Sequence, residues 1–174
     1  MPDGQVTIRR ARTPDVARIR QLMDTFTHER RVLAKSTVNL YEDIQEFWVA
    51  DFDDGQQRAV VGCGALHVLW EDLAEVRTVA VDPSVQGYGI GHRIVAGLLA
   101  QAKQLGVRRV FCLTFETEFF AKHGFAPIPG TPVSPRVYEE LLRSFDEGVA
   151  EFLDLERVKP NTLGNTRMLA YLDP

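Results

Sequence analysis

Cysteine is scarce in this chain, with only Cys63 and Cys112 among 174 residues, each inside an apolar run. Two thiols so placed give no disulfide framework, and the expected state is a pair of buried free thiols in a reducing compartment. Positive charge is not in excess, because 20 Lys and Arg stand against 24 Asp and Glu for a net charge of −4. No global field therefore draws the chain to DNA, RNA or anionic lipid. No segment approaches the ~18 uninterrupted apolar residues of a membrane span. The polar, basic stretch Met1 to Arg12 is not followed by the apolar run of a signal peptide, so a cytoplasmic location is expected. His28, His67, His92 and His123 show no metal-ligand spacing with each other or with the cysteines, and no metal site is expected. Internal repeats, low-complexity tracts and domain-length linkers are absent as well. What remains is 45% hydrophobic and 25% charged residues, enough for one full core in a single domain over residues 1–174.

Apolar spacing orders this domain into strands and helices. Val6 to Ala11 alternates as a strand, and Thr13-Pro14-Asp15 offers a helix N-cap, a first-turn proline and an acid. Val16, Ile19, Leu22, Met23 and Phe26 then recur at helical spacing, and a second helical segment is expected from Val38 to Glu46. Phe47 to Phe52, Ala59 to Trp70 and Ala74 to Val81 read as an antiparallel meander, with Gly62 and Gly64 allowing close approach or a bulge. After a glycine-rich stretch, Arg93 to Leu105 is an amphipathic helix closed by Gly106. Val107 to Leu113 is flanked by helices and is expected to run parallel to the strand before the glycines. Further helices are expected over 117–123 and 136–145, and strands over 149–155 and 166–172, the last two separated by the loop around Lys159. The fold class is α+β, one mixed sheet with helices on its faces.

The chemistry lies in Gln86-Gly87-Tyr88-Gly89-Ile90-Gly91-His92-Arg93, where a strand delivers the chain into three alternating glycines and then a helix. Glycines let the backbone curl with its N–H groups converging, and the helix start adds partial positive charge, which suits a pyrophosphate. His92 and Arg93 can contact the same anion. A Walker loop would end in Gly-Lys-Ser/Thr, which is not found here. A dinucleotide loop needs two residues between its second and third glycines and an acid about 20 residues on. Here one residue intervenes, and Phe111-Cys112-Leu113 occupies the place of the acid. A ligand-free turn is the remaining alternative.

The loop resembles Gln/Arg-x-x-Gly-x-Gly/Ala, the pyrophosphate motif of the GNAT superfamily of acyl-CoA-dependent N-acetyltransferases. Phe119-Phe120-Ala121-Lys122-His123-Gly124-Phe125 resembles the later aromatic-x-x-x-Gly-Phe signature of the same group. The resemblance implies a mostly antiparallel mixed sheet whose central parallel pair splays, with acetyl-CoA in the opening as co-substrate. It places the backbone of Val79 and Val81 on the pantetheine and thioester. Gln86, Gly87, Tyr88, Gly89, Ile90, Gly91, His92 and Arg93 would surround the pyrophosphate.

Within the superfamily, Val61 to His67, Asp72 to Arg77, Val110 to Thr114 and Asn165 to Leu169 are similar to the transferase domain of N-acetylglutamate synthases. The resemblance implies acetylation of the α-amine of L-glutamate, with L-glutamine a further acceptor, at the start of arginine biosynthesis. It is to the short form without an amino-acid-kinase domain, and the superfamily suggests a homodimer. Glu118, ahead of Glu116, is the expected general base, the alternative being that both are solvated helix-start acids. Arg77 is expected to clamp a substrate carboxylate unless it is paired with Glu75 or another acid. Thr114 and Thr166 complete the expected acceptor site, with Lys159 and Arg167 as further cations. Phe120 stands where many relatives carry a tyrosine acid, and Gly164 where some synthases carry an arginine. Acetylation of another small or protein amine, and a non-catalytic acyl-CoA-binding module, are the competing functions.

Overall fold

The computed structural model describes residues 4–27, 36–153 and 164–173. Strand β1 (Gln5–Arg10) leads through a 3-10 turn (Thr13–Asp15) into α1 (Val16–Thr27). After α2 (Thr37–Glu42) and a second 3-10 turn (Ile44–Glu46) come β2 (Phe47–Asp53), β3 (Arg58–Trp70) and β4 (Leu73–Val81). Then follow α3 (Ile90–Gln104), β5 (Arg109–Thr114), α4 (Thr117–Ala121), β6 (Ala126–Pro127), α5 (Pro135–Leu141), α6 (Glu147–Phe152) and β7 (Thr166–Tyr171). Among the described residues seven strands form one sheet in the order β1-β2-β3-β4-β5-β7-β6. Each neighbouring pair is antiparallel except β4 and β5, which are parallel as expected.

Alternation along β4 divides the core. Ala74 and Val76 face α3, whose buried Ile94, Val95, Leu98 and Ala102 carry the helical stripe read from the sequence. Leu73 faces the other way, into a cluster with Phe111, Leu141, Val149 and Phe152. A third cluster joins Val16, Ile19, Leu22 and Met23 of α1 to Phe47, Val49, Cys63 and Ala65. The glycines of β3 serve close packing, because a Cβ on Gly64 would lie 2.7 Å from Ile94 Cγ2 and one on Gly62 2.9 Å from Ile94 Cδ1. Both cysteines are free and buried, and burial pushes the Cys63 thiol up to about 12 and raises that of Cys112 as well.

Four local expectations are corrected. The 149–155 strand is instead helix α6, because the Asp146 carboxylate accepts from the Val149 amide at 3.0 Å and caps a first turn. Val149, Ala150, Phe152 and Leu153 then fall on one buried helical face. Helix α3 begins at Ile90, three residues before Arg93, since left-handed Gly89 (φ 73°) already serves as its N-cap. The first cap is Arg12 and not Thr13, with the Asp15 carboxylate accepting from the Arg12 amide at 2.7 Å and holding Arg9. Helix α5 ends at Leu141, well before Phe145.

Candidate active site

Parallel pairing between β4 and β5 covers only Leu73 with Arg109, Ala74 with Val110 and Glu75 with Phe111. Beyond that the strands diverge, and a cleft of about 1010 Å³ opens between Val79, Ala80 and Val81 on one wall and Leu113 and Thr114 on the other. The divergence begins next to a bulge in β4. Cys63 pairs with Ala80 and Ala65 with Arg77, so Thr78 and Val79 together oppose Gly64. Thr78 takes φ 58°, which a β-branched side chain adopts only under constraint.

At one end of the cleft sits the glycine loop. Gly87 (φ 83°) and Gly89 (φ 73°) would place a Cβ in open space, so their backbone conformation, not crowding, calls for glycine. Gly91 differs, because its Cβ would lie 3.3 Å from the Phe119 ring. First-turn N–H groups of α3 have no carbonyl one turn back, and they begin at Ile90, Gly91 and His92, which line the cleft. Gln86 also lines it and donates from Nε2 to the Val81 carbonyl at 3.3 Å. This is an anion cradle, and it meets the chemistry of a diphosphate.

Two loop residues lie elsewhere. Tyr88 is 55% exposed and outside the cleft lining. Arg93 turns its guanidinium to the Val6 carbonyl on β1 at 2.7 Å, so its side chain ties the helix to the sheet edge. Residue 93 falls on the side of α3 away from the loop, which a contiguous motif does not reveal.

At the other end lies a network of charge. Glu75 and Arg77, two apart on β4, share a face, and His67 stands opposite Glu75 in register. Arg77 Nη1 meets Asp146 Oδ1 at 2.8 Å and Glu75 Oε2 at 3.6 Å, while Nη2 meets Glu46 Oε2 at 3.2 Å. His67 Nδ1 lies 2.7 Å from the other Glu46 oxygen. Burial works against the Asp146 carboxylate, and Arg77 more than offsets it by charge and hydrogen bond, holding it at about 2. Glu75 is different. Burial raises its carboxyl to about 7 against the opposing pull of Arg77, and its Oε2 has no hydrogen-bond partner.

The expected acceptor residues scatter relative to this network. Arg77 lines the cleft but is already engaged by three carboxylates, with its side chain only 8% exposed. Glu118 is exposed on α4 and does not line the cleft, whereas Glu116 does. Thr114 is buried on the cleft wall, its hydroxyl accepting from the Glu116 amide at 2.9 Å. Thr166 pairs with Thr114 in register but is not part of the lining, which takes Asn165 instead. The Asn165 amide donates to the Glu151 carboxylate, and Arg167 Nη2 to the Glu151 carbonyl at 3.1 Å. Lys159, the Arg30-Arg31 pair and His28 lie outside the described residues.

Glu46, Glu75 and Asp146 were not expected as site residues. Glu75 had one signal, its i, i+2 relation to Arg77 on a strand; the others come from distant segments and had none.

Residues 14–125 match the model of the acetyltransferase (GNAT) family. The chain is 60% identical over 170 residues to the amino-acid acetyltransferase of Mycobacterium tuberculosis, covering 98% of this chain and 97% of that protein. A crystal structure of a protein from Mycobacterium tuberculosis in complex with CoA and NLQ superposes with a TM-score of 0.91 at 60% identity, covering 96% of this chain and 99% of that one. The fold also matches N-acetylglutamate synthase from Neisseria gonorrhoeae complexed with coenzyme A and N-acetyl-glutamate, at TM-score 0.75 and 24% identity, covering 98% of this chain and 36% of that one.

Proposed function

The chain belongs to the GNAT family of acetyltransferases, whose members take acetyl-CoA as co-substrate, and within it we propose an amino-acid N-acetyltransferase acting on the α-amine of L-glutamate or L-glutamine. The reading places the reaction at the entry to arginine biosynthesis. One observation carries it: the splayed pair joins the glycine cradle at one end to a buried carboxylate at the other, Glu75, whose Oε2 accepts no hydrogen bond and has only the Arg77 charge at 3.6 Å beside it.

An amino acid reaches the site mostly as its ammonium, so a base must free the lone pair before it attacks the thioester. Glu75 replaces Glu118 in this role. A carboxyl near 7 is part ionised at neutral pH and can hold a captured proton. Arg77 acts as a positioning residue, fixed by Glu46 and Asp146, and keeps one positive charge beside the base. Backbone N–H groups around the Thr78 bulge suit the developing oxyanion, since a bulge frees donors from the ladder. Phe120 has no proton to give, so the departing thiolate takes its proton from solvent.

Charge distinguishes the two acceptors. Asp43, Glu75, Glu116, Asp146, Glu147 and Glu151 line the cleft, and Arg77 is the one guanidinium lining it among the described residues. A second substrate carboxylate adds like charge to this wall, whereas a carboxamide does not. The reading therefore favours L-glutamine. Thiol release from acetyl-CoA, measured with each amino acid and with a peptide amine, tests this once the product mass is identified. Saturable release with a larger kcat/KM for glutamine is expected. Release with the peptide alone would overturn the substrate class, and CoA binding without any turnover would leave a binding module.

A further inference from the structure

Apart from the groups used for acetyl transfer, the structure brings two titratable rings into contact beside the glycine cradle. His92 lies in the first turn of α3 and lines the cleft, and His123 follows α4; Nδ1 of the first is 2.8 Å from Nε2 of the second. Two nitrogens at that distance hold a single hydrogen between them, so the pair carries at most one positive charge. The other ring nitrogens, His92 Nε2 and His123 Nδ1, have no hydrogen-bond partner among the described residues. Phe119 stacks on His92 at 4.6 Å between centroids and lies 5.5 Å from His123, shielding the pair.

No carboxylate among the described residues acts on His123. Burial and then His92 lower its proton affinity, and nothing opposes them. From α3 the next cation, Arg93, is turned to Val6. On α4 and the turn after it, Glu118 and Lys122 are exposed, Glu116 at the N-cap of α4 lines the cleft, and β4 lines it with the apolar Val79, Ala80 and Val81. Burial and the neighbouring ring thus disfavour a proton on His123.

We propose that His92 and His123 form one proton-accepting unit on the wall of the cradle, and that binding a phosphate group of the acyl-CoA draws one proton from solvent onto the pair. The inference rests on the cradle being the phosphate site. A neutral ring pair offers an anion little, whereas the monocation adds a charge-assisted donor to the N–H groups of the helix start. The proton comes from water or buffer, and no other bond breaks. Because the anion strengthens the pair's hold on the proton, affinity rises as pH falls between the bound and free proton affinities. One proton sets a limit of about tenfold per pH unit there, and the dependence is flat outside that interval.

Calorimetric titration of the full chain with CoA, in buffers of different ionisation heat near neutral pH, counts the protons taken up per ligand bound. Titration with 3′-dephospho-CoA removes the one phosphate of the ligand that itself titrates near neutrality. A double variant, His92→Asn with His123→Gln, keeps polar groups of similar reach and removes the titration. Uptake of up to one proton is expected in the wild type and none in the double variant, with CoA affinity about tenfold weaker at the acid end. Uptake that persists with dephospho-CoA identifies the pyrophosphate as the anion. Uptake lost with that ligand and also lost in the variant identifies the 3′-phosphate. Equal uptake in both proteins, or none in the wild type from mildly acid to mildly basic pH, would overturn the proposal. CoA affinity unaltered by Gly89→Ala would instead overturn the cradle as the phosphate site.

Discussion

Replacing Glu75 by glutamine separates the catalytic reading from a structural one, because the two predict opposite effects on stability. The carboxyl moves from an ordinary 4.5 in the unfolded chain to about 7 in the fold. That difference is worth roughly 3 kcal/mol in favour of the protonated form. With the folded value above the unfolded one, folding is unhindered below about pH 4, and the penalty grows as pH rises, reaching its full size above about pH 8. Glutamine keeps the shape of the protonated acid and escapes the penalty, while Arg77 stays paired with Glu46 and Asp146. Glu75→Gln should therefore melt higher at pH 8.5 by about 6–12 °C, a difference that vanishes in mild acid. Its kcat should fall about 10²–10⁴-fold, and the rise of wild-type kcat/KM with pH through about 7 should disappear. Differential scanning calorimetry across pH and thiol-release kinetics measure both. A variant with wild-type turnover, or one destabilised equally at both ends of the pH range, would show that Glu75 only partners Arg77.

Gly89→Ala meets no atom within 4 Å but must hold φ 73°, so about 1–2 kcal/mol of backbone strain should weaken CoA binding several-fold, with Gly89→Asn recovering part. Isothermal titration with CoA checks this, and wild-type affinity in the alanine variant would refute the loop as the phosphate site. Gly148→Ala should raise KM for the amino acid and cost about 1–3 kcal/mol of stability, because its Cβ would lie 3.0 Å from each of Arg77 Nη1, Asp146 Oδ1 and Glu75 Oε2. Unchanged kinetics and melting would show that the network shifts freely. Arg93→Met should leave CoA affinity within about twofold and lower stability by about 1 kcal/mol through loss of the Val6 contact; a tenfold loss of affinity would return Arg93 to the phosphate site.

Legibility in the sequence followed the range of the forces involved. The shape of the glycine loop was readable because it depends on backbone conformation within a few adjacent residues. Gly87 and Gly89 occupy the left-handed region that such a loop requires. Helix α3 was readable from its periodicity, since one stripe of it is buried against the sheet, and strands β2 to β4 as β-rich apolar runs bounded by turns, since their centres are buried on both faces. The run Val149-Ala150-Glu151-Phe152-Leu153 satisfied strand and helix patterns alike, and only the Asp146 cap decided between them. The charged end of the cleft was the least readable. Its charges meet from residues 46, 67, 75, 77 and 146, and the sheet register and the cap of α6 bring them together. Glu118 was singled out by its nearness to a position where related synthases carry an acid, and on α4 it is exposed and outside the cleft lining.

The parallel seam between β4 and β5 closes over three residue pairs and then stops, so the free protein carries an unfinished sheet at its centre. A ligand that fills the gap binds the folded chain and not the unfolded one, and its occupancy adds about 2.7 kcal/mol at a hundredfold excess over Kd. Set against the ~5–15 kcal/mol that holds a typical domain together, this is a large share. Resistance to unfolding should therefore rise with acyl-CoA concentration, so that the co-substrate also completes the sheet of its catalyst, and melting scans with and without CoA measure the difference.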